Sequence, residues 1–376
     1  MPPFPYRSYA LISREQLASN YRTVCSAVGP NVTVMGVVKA DAYGHGAVEV
    51  ARVLVAEGAG WIAVSSVEEG ATLRRAGIKT RILVMTGFLP YEWDALAEFD
   101  LTPAVHSLAD LAALDQFACQ AGRMTDYHLK IDTGMNRLGT LAAVGEILAA
   151  LKSATHARLN GLMTHFASPA DYTSRQTEDQ STYFESVVEH LRRAGHAPPH
   201  IHTSSTNALA YSRNPPWLTM VRPGHALYGY VSPPRGDAPR PVLEVKPVLT
   251  WKARILTVKE IPAGALVGYG ASFRAQQPIR VAVLAAGYAD GVPHRLSNRG
   301  KVIAAGKLVP ILGTVCMDLT TIDISHSTSL APGDEVTLLG REGDVSLDAQ
   351  QIARMAGTIS YSVLCGIGAR VERVYV

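Results

Sequence analysis

A single lysine ends an apolar segment near the start of the chain. Residues 32–38 read VTVMGVV, and Lys39 follows them directly in the sequence KADAYGHG. The β-branched segment is typical of a strand buried on both faces, so Lys39 is predicted at a strand end, with Gly44 and Gly46 giving conformational freedom where strand passes to helix. Burial would lower the pKa of the amine, and a neutral amine can form a Schiff base with an aldehyde. A lysine that extends from a strand end into solvent explains this residue equally well.

Three further motifs carry a side chain that could take part in chemistry, and two of them include glycine or proline. They are RPGH at Arg222, VGYGAS at Tyr269 and MTHF at His165. A buried arginine needs a partner, and a pyridine nitrogen can be one. Each motif also has an ordinary explanation, because RPG is a common turn, GYG is often a turn with a packed aromatic, and a lone histidine is usually structural. Their interpretation depends on the elements that carry them.

From residue 13 to about residue 229 the chain alternates short apolar segments with amphipathic helical ones, which is typical of a parallel sheet covered by helices. Eight strands are predicted: the segment that ends at Lys39, Trp61–Ser66, Arg81–Gly87, Leu101–Ser107, Tyr127–Asp132, Arg158–Phe166, His200–Ser205 and Thr219–Gly229. The predicted helices include Gly46–Gly58, Val67–Gly77, Leu141–Lys152 and Ser174–Ala194. This pattern predicts an α/β fold with a (β/α)8 TIM-type barrel, whose chemistry gathers at the C-terminal strand ends.

A proline-rich, unpatterned segment at residues 231–241 is typical of a linker. Short β-rich segments broken by glycine and proline follow it without long helices: Val248–Val258, Ile279–Ala285, Lys301–Ile303, Ile311–Val315 and Glu335–Leu339. They predict a mainly β C-terminal domain, a small barrel or sandwich. We therefore expect a barrel over residues 12–236 and a β-rich domain over residues 237–376.

Length and composition narrow the function. A chain of 376 residues is longer than the roughly 250–300 at which one core stops growing, so two domains are expected. The net charge of +3 comes without a basic block, which gives no support for nucleic-acid binding. Four scattered cysteines fit neither a disulfide framework nor a zinc knuckle, so no metal is expected. Residues 1–7 lack a leader pattern and no apolar stretch approaches the ~20 residues of a membrane span, so we expect a soluble cytoplasmic protein.

The decapeptide VVKADAYGHG at residues 37–46 resembles the pyridoxal phosphate (PLP) attachment motif of bacterial alanine racemases. The resemblance implies that Lys39 holds PLP as an internal aldimine and that Tyr43 contacts its phosphate. It extends over nearly the whole chain, and in this family a barrel is followed by a β domain. It also implies that the first strand, within residues 1–11 or at Tyr9–Ile12, joins the C-terminal domain.

By the same resemblance, Arg222 faces the ring nitrogen of PLP. Arginine does not easily give up a proton, so the nitrogen stays unprotonated and the ring is a weaker electron sink, which favours racemisation over transamination. A racemase needs a proton donor on each face of the substrate carbanion, and Tyr269 matches the family's second base, with Lys39 as the first. His165 and Arg137 would help Tyr269 ionise. In the family the lysine and the tyrosine meet across a dimer interface, so a homodimer with a shared active site is implied.

The remaining site residues follow from the resemblance. Arg137, in KIDTGMNRLG, would hold the substrate carboxylate side, together with the backbone amide of Met317. Lys130 matches a lysine that is often carbamylated in the family, and a plain salt bridge to a neighbouring carboxylate is an equal alternative. Tyr288 would narrow the entry, and Asp318 and Arg295 would support its loop. The phosphate shell is completed by Gly224, Tyr361 and one of Ser205 and Thr206, where the sequence departs from the Ala-Asn-Ser of many relatives.

The resemblance thus implies a PLP-dependent alanine racemase that interconverts L-alanine and D-alanine by a two-base mechanism and supplies D-alanine for peptidoglycan. A barrel-type PLP decarboxylase is a rival, but it expects a carboxylate where Arg222 lies. A single-barrel PLP-binding protein without catalytic activity would lack the β domain. Racemisation of serine or other small amino acids stays open.

Overall fold

The computed structural model describes residues 6–376, so the first part of the predicted strand segment 1–11 lies outside the described residues. The chain forms two compact units. The first unit comprises residues 17–42 and 47–246, and the second comprises residues up to 16, 43–46 and 247–376. The domain division at residue 236 stays a prediction. Within the described part of the chain, no helix has both the length and the apolar character needed to cross a membrane.

The first unit contains an eight-stranded parallel sheet in the order β8-β7-β6-β5-β4-β3-β2-β9. The last strand also lies beside β8, because the Thr219 amide donates to the Ile201 carbonyl at 3.0 Å and the Arg222 amide donates to the Ser204 carbonyl at 2.9 Å. The sheet therefore returns on itself as a nearly closed barrel, as predicted. Its strands are β2 Thr33–Val37, β3 Trp61–Val64, β4 Arg81–Val84, β5 Thr102–Val105, β6 Thr125–Lys130, β7 Ala157–Met163, β8 His200–His202 and β9 Met220–Val221.

Helices connect the barrel strands and cover the sheet. Two of them begin at serine caps, where Ser66 accepts from the Glu69 amide and Ser107 from the Asp110 amide. The helices of the barrel region are α1 Arg14–Val28, α2 Lys39–Gly44, α3 Ala47–Ala56, α4 Val67–Arg75, α5 Trp93–Glu98, α6 Leu108–Gln120, α7 Val144–Ser153, α8 Gln176–Arg193 and α9 Thr206–Ala210. Apolar side chains of α6, α7 and α8 form a core cluster with β6 and β7: Leu111, Leu114, Ile147, Leu151, Phe184, Val187, Tyr127, Leu129 and Leu162.

The second unit is built on a nine-stranded sheet. Its strands are β1 Ser8–Ile12, β10 Leu249–Ile261, β13 Ile279–Leu284, β14 Lys301–Ala304, β15 Lys307–Pro310, β16 Thr320–Asp323, β17 Glu335–Glu342, β18 Val345–Leu347 and β19 Glu372–Tyr375. The central order of the sheet is β15-β14-β17-β10-β1-β19. A separate hairpin pairs β11 Leu266–Val267 with β12 Phe273–Arg274. Strand β1 pairs antiparallel with β10 and parallel with β19, so it lies within the sheet of the second unit.

Two features of the second unit differ from expectation. The predicted strand Ile311–Val315 is wrong: only Ile311 forms an isolated bridge, to Ile322, and the positive φ of +71° at Gly313 is incompatible with a continuing strand. Two helices were not predicted, α10 Ala349–Ala356 and α11 Ser360–Cys365. The first of them begins at Asp348, whose carboxylate accepts from the Gln351 amide, and ends at left-handed Gly357, an ordinary pair of helix signals.

Candidate active site

Lys39 begins a helical turn of left-handed sense. It follows β2, and the next four residues, Ala40 to Tyr43, all have φ between +49° and +56°. Such a conformation costs L-residues roughly 1–2 kcal/mol each and is normally found at single positions. Gly44 at +79° and Gly46 at +90° continue the positive φ values, as their predicted conformational freedom suggests. A conformation this costly persists only where its surroundings enforce it.

Arg222 directly follows β9 and is 3 % exposed. Its Nη1 donates to the carbonyl of His202 at 3.0 Å and contacts His202 Nδ1 at 2.6 Å. Its Nη2 donates to the carbonyls of Thr164 and Thr203 at 2.7 and 3.1 Å and lies 3.3 Å from His165 Nδ1. Burial lowers the pKa of Arg222 to about 9. The guanidinium is thus bound by neutral acceptors, and no carboxylate pairs with it among residues 6–376.

A histidine chain that the sequence did not reveal continues from Arg222 into the barrel. His202 Nε2 lies 2.8 Å from His128 Nδ1, and both rings are fully buried. Arginine can only donate, so His202 accepts at Nδ1, carries its proton on Nε2 and donates to His128. Burial is the main cause that lowers the pKa of both rings, for His128 to about 3. Both histidines therefore remain neutral and hold the position of the arginine.

Several cationic groups surround His165. Burial is the largest cause that holds the pKa of His165 well below its usual value, followed by the charges of Arg222, Lys130, Arg137 and Lys39. Burial and the arginine charges lower the pKa of Lys130 to about 8. In the described part of the chain no carboxylate oxygen lies within 4.0 Å of the Lys130 amine, so the plain salt bridge is not formed. The barrel end is thus an electropositive site suited to an anion.

Arg137 lies on a loop organised by Asp132. The Asp132 Oδ1 accepts from the amides of Gly134, Met135 and Asn136 at 2.9, 3.0 and 3.1 Å. Burial raises the pKa of this carboxyl, but the three amides outweigh it, and the net pKa is lowered. The loop leaves Arg137 exposed after left-handed Asn136. An exposed guanidinium near Lys130 and His165 can bind a carboxylate.

Thr206 begins α9, after β8, and its side chain is 4 % exposed. The hydroxyl oxygen accepts from the amides of Gly224 and Ala226 at 3.2 and 3.1 Å, and its own hydrogen has no acceptor among the described residues. Ser205 precedes it as the helix cap, makes no capping bond and is only partly buried. These hydroxyls lie at the same end of the barrel as Lys39, where a phosphate would be bound.

The remaining predicted residues belong to the second unit. The rings of Tyr43 and Tyr361 lie 6.0 Å apart, and burial raises the pKa of Tyr43. Tyr269 lies on a short turn between glycines with positive φ and is 75 % exposed. It is anchored through its carbonyl, which accepts from the Thr314 hydroxyl at 3.0 Å.

Met317 and Tyr288 lie on adjoining loops of this unit, and both are exposed. The amide of Tyr288 donates to the carbonyl of Cys316 at 3.0 Å. Glycine is required at position 287, since a Cβ there would lie 2.3 Å from two carbonyl oxygens of the Met317 loop. Asp318, predicted to support this loop, pairs with Arg370 at 2.7 Å, and Arg370 also pairs with Asp290 at 3.1 Å, a partner that the sequence did not indicate.

The chain is similar to known proteins over its whole length. Residues 12–233 match the family model "Alanine racemase, N-terminal domain", and residues 248–375 match "Alanine racemase, C-terminal domain". An alanine racemase of Halothermothrix orenii is 39% identical over 370 residues, covering 98% of this chain and 96% of that protein. One of Carboxydothermus hydrogenoformans is 37% identical and covers 98% of this chain and 99% of that protein.

Solved structures of alanine racemases are also similar to this chain. An alanine racemase of Clostridium difficile has a TM-score of 0.91 at 33% identity and covers 99% of this chain and 96% of its own. The structure of an alanine racemase from Bartonella henselae with covalently bound pyridoxal phosphate has a TM-score of 0.85 at 27% identity. The similarity covers 99% of this chain and 100% of that one. The chain therefore belongs to the alanine racemase family and is a racemase.

Proposed function

We propose that this racemase interconverts L-alanine and D-alanine with PLP bound at the barrel end, and that the D-alanine serves peptidoglycan synthesis in the cytoplasm. The observation that carries the cofactor proposal is Arg222, a buried guanidinium bound only by carbonyls and neutral imidazoles. Such a group suits an unprotonated pyridine nitrogen, whereas a carboxylate at this position would stabilise the protonated form of the ring. Thr206 supports the same proposal, since its buried hydroxyl hydrogen lacks an acceptor that a phosphate oxygen would supply.

Each residue has a role in the proposal. Lys39 would hold the cofactor covalently, and Tyr43, Tyr361, the Gly224 amide and the hydroxyl of Ser205 or Thr206 would hold its phosphate. His165 would pack on the ring and Arg222 would donate to its nitrogen. When bound, PLP supplies an electron-withdrawing ring that acidifies the α-hydrogen of an amino acid. Arg137 and the Met317 amide would hold the substrate carboxylate.

Proton transfer needs one base on each face of the α-carbon. We assign the α-proton of L-alanine to the Tyr269 oxygen and that of D-alanine to the Lys39 amine. By family resemblance, the Tyr269 that serves one Lys39 comes from a second copy of the chain, which makes the active unit a homodimer. The exposure of the Tyr269 side chain is consistent with a role toward another molecule.

A coupled assay tests the activity. The purified protein is mixed with PLP and one L-amino acid at a time, and D-amino-acid oxidase detects the product. We expect D-alanine, with serine as the next candidate, and no product from a Lys39→Ala variant. Absence of D-alanine above the variant's background, or release of carbon dioxide instead, would contradict the proposal.

Solvent exchange tests the two bases separately. In D2O, a Lys39→Ala variant rescued with a small amine should lose α-hydrogen exchange from D-alanine more strongly than from L-alanine. A Tyr269→Phe variant should show the opposite preference. Equal losses for both enantiomers in both variants would refute the assignment.

A further inference from the structure

One carboxylate outside the predicted site is bound to the peptide that follows Lys39. Glu69 lies in the first turn of α4, and its Oε1 accepts from the Ala40 amide at 2.6 Å. Its Oε2 accepts from the Ser65 amide at 2.7 Å. Ser65 directly follows β3, the neighbour of β2 in the barrel sheet. A single side chain therefore joins the backbone after Lys39 to the end of the adjacent strand.

The position of this contact matters because the left-handed turn begins there. Ala40 is the first of the four residues with positive φ, and the backbone conformation is unfavourable for each of them. Charge-assisted hydrogen bonds from backbone amides to a carboxylate are stronger than neutral ones. At the far side of the turn, Asp41 Oδ1 accepts from the Ala47 amide at 2.7 Å. Glu69 and Asp41 thus restrain the two ends of a turn that is unstable by itself.

We propose that Glu69 is a positioning residue for Lys39: its carboxylate fixes the Lys39–Ala40 peptide and so directs the amine toward the reacting atoms. The inference rests on the proposed role of Lys39. Glu69 itself touches neither substrate nor cofactor in this assignment. A purely structural role, as an acidic residue that favours the start of a helix, would be shared by its neighbour Glu68, which is exposed and also lies in the first turn of α4.

The two glutamates allow a matched comparison of Glu69→Gln with Glu68→Gln. The Ala40 and Ser65 amides donate to different oxygens of Glu69. In glutamine only one of these two terminal atoms is an acceptor, because the NH2 group can only donate, so one of the two contacts is lost. For Glu69→Gln we expect kcat and the rate of PLP attachment to Lys39, measured by borohydride trapping and mass spectrometry, to fall roughly 10- to 100-fold with little change in KM. Glu68→Gln should behave as the wild type. Wild-type kcat and attachment rate in Glu69→Gln would overturn the proposal.

A second substitution separates positioning from loss of folding. Glycine adopts positive φ readily, so Ala40→Gly added to Glu69→Gln should recover part of the lost attachment rate. In the cofactor-free protein, hydrogen exchange of the Ala40 amide should be faster in Glu69→Gln than in the wild type, while exchange in β6 stays unchanged. Unchanged exchange at Ala40, or faster exchange throughout the barrel, would contradict a local restraint. If wild-type Lys39 binds no PLP, the proposed function fails, and the exchange result still reports whether Glu69 restrains the turn.

Discussion

Replacing His128 by phenylalanine should lower the free energy of unfolding at neutral pH and make that free energy less dependent on pH. His128 is fully buried and accepts from His202 Nε2 at 2.8 Å. A phenyl ring keeps the shape but leaves the buried Nε2–H of His202 without an acceptor. An unsatisfied buried donor costs about 1–3 kcal/mol, and we expect a loss of this size at pH 7.5.

The acid dependence follows from the pKa of His128, which burial lowers to about 3 from 6.5. Below pH 6.5 the unfolded chain binds a proton at this residue and the folded chain does not, so wild-type stability falls as the pH drops towards the folded pKa. One pH unit below 6.5, at pH 5.5, the loss from this residue is about 1.4 kcal/mol. The variant lacks this loss. The difference in free energy of unfolding between wild type and variant should therefore be about 1.4 kcal/mol smaller at pH 5.5 than at pH 7.5.

Urea unfolding of the cofactor-free proteins at equal concentration, followed by far-UV circular dichroism at both pH values, measures the gap. His190→Phe, at an exposed position of α8, controls for the loss of any histidine. A gap that stays constant or widens at pH 5.5 would show that His128 takes up a proton in the folded protein, and the reasoning would be refuted. Nitrogen NMR of the labelled imidazoles should also show both His128 and His202 neutral with the proton on Nε2.

Three further outcomes follow. Gly44→Ala should lower the free energy of unfolding in urea by more than ~2 kcal/mol, because φ is +79° and the new Cβ would clash with the Leu364 carbonyl oxygen. Gly270→Ala is the control: φ is +69° there, but no atom lies within 4 Å of the new Cβ, so the same titration should show a loss of only about 1 kcal/mol. Thr206→Val should weaken PLP binding in equilibrium dialysis more than Ser205→Ala does. It removes a buried hydroxyl whose hydrogen can be donated to the phosphate, and it leaves the Gly224 and Ala226 amides without their acceptor. The reverse order would identify Ser205 as the phosphate ligand. Lys130→Met should raise the free energy of unfolding by about 3 kcal/mol at pH 7 in bicarbonate-free buffer, because the folded protein, where the pKa of this amine is about 8, disfavours its charged form. The increase should fade as the pH rises to 10.5, where the amine loses its charge in the unfolded chain as well. A decrease at pH 7, together with a carbamate in the mass spectrum, would instead identify a modified lysine.

The barrel could be predicted because strands buried on both faces leave continuous apolar segments, and all eight were found near their predicted positions. Most ended earlier than predicted, since residues such as Ser66 cap the next helix instead of extending the strand. The left-handed turn could not be predicted, because Ala40 carries no sign of positive φ and its restraint comes from Glu69, 29 positions away. His202 and Arg370 were missed for the same reason, since their roles depend on partners that only the fold brings near.

The placement of β1 has a consequence for synthesis of the chain. Residues Tyr9–Ile12 are translated before the barrel, but their sheet neighbours, Leu249–Lys252 in β10 and Glu372–Tyr375 in β19, are translated after it. Strand β1 therefore has no sheet partner while the entire barrel sequence is translated. Pairing over such separations is slow, and exposed strand edges favour aggregation. The second unit can complete its sheet only after β19 has been translated, so the edge of β1 that pairs with β19 stays unpaired through the synthesis of both the barrel and the strands that follow it.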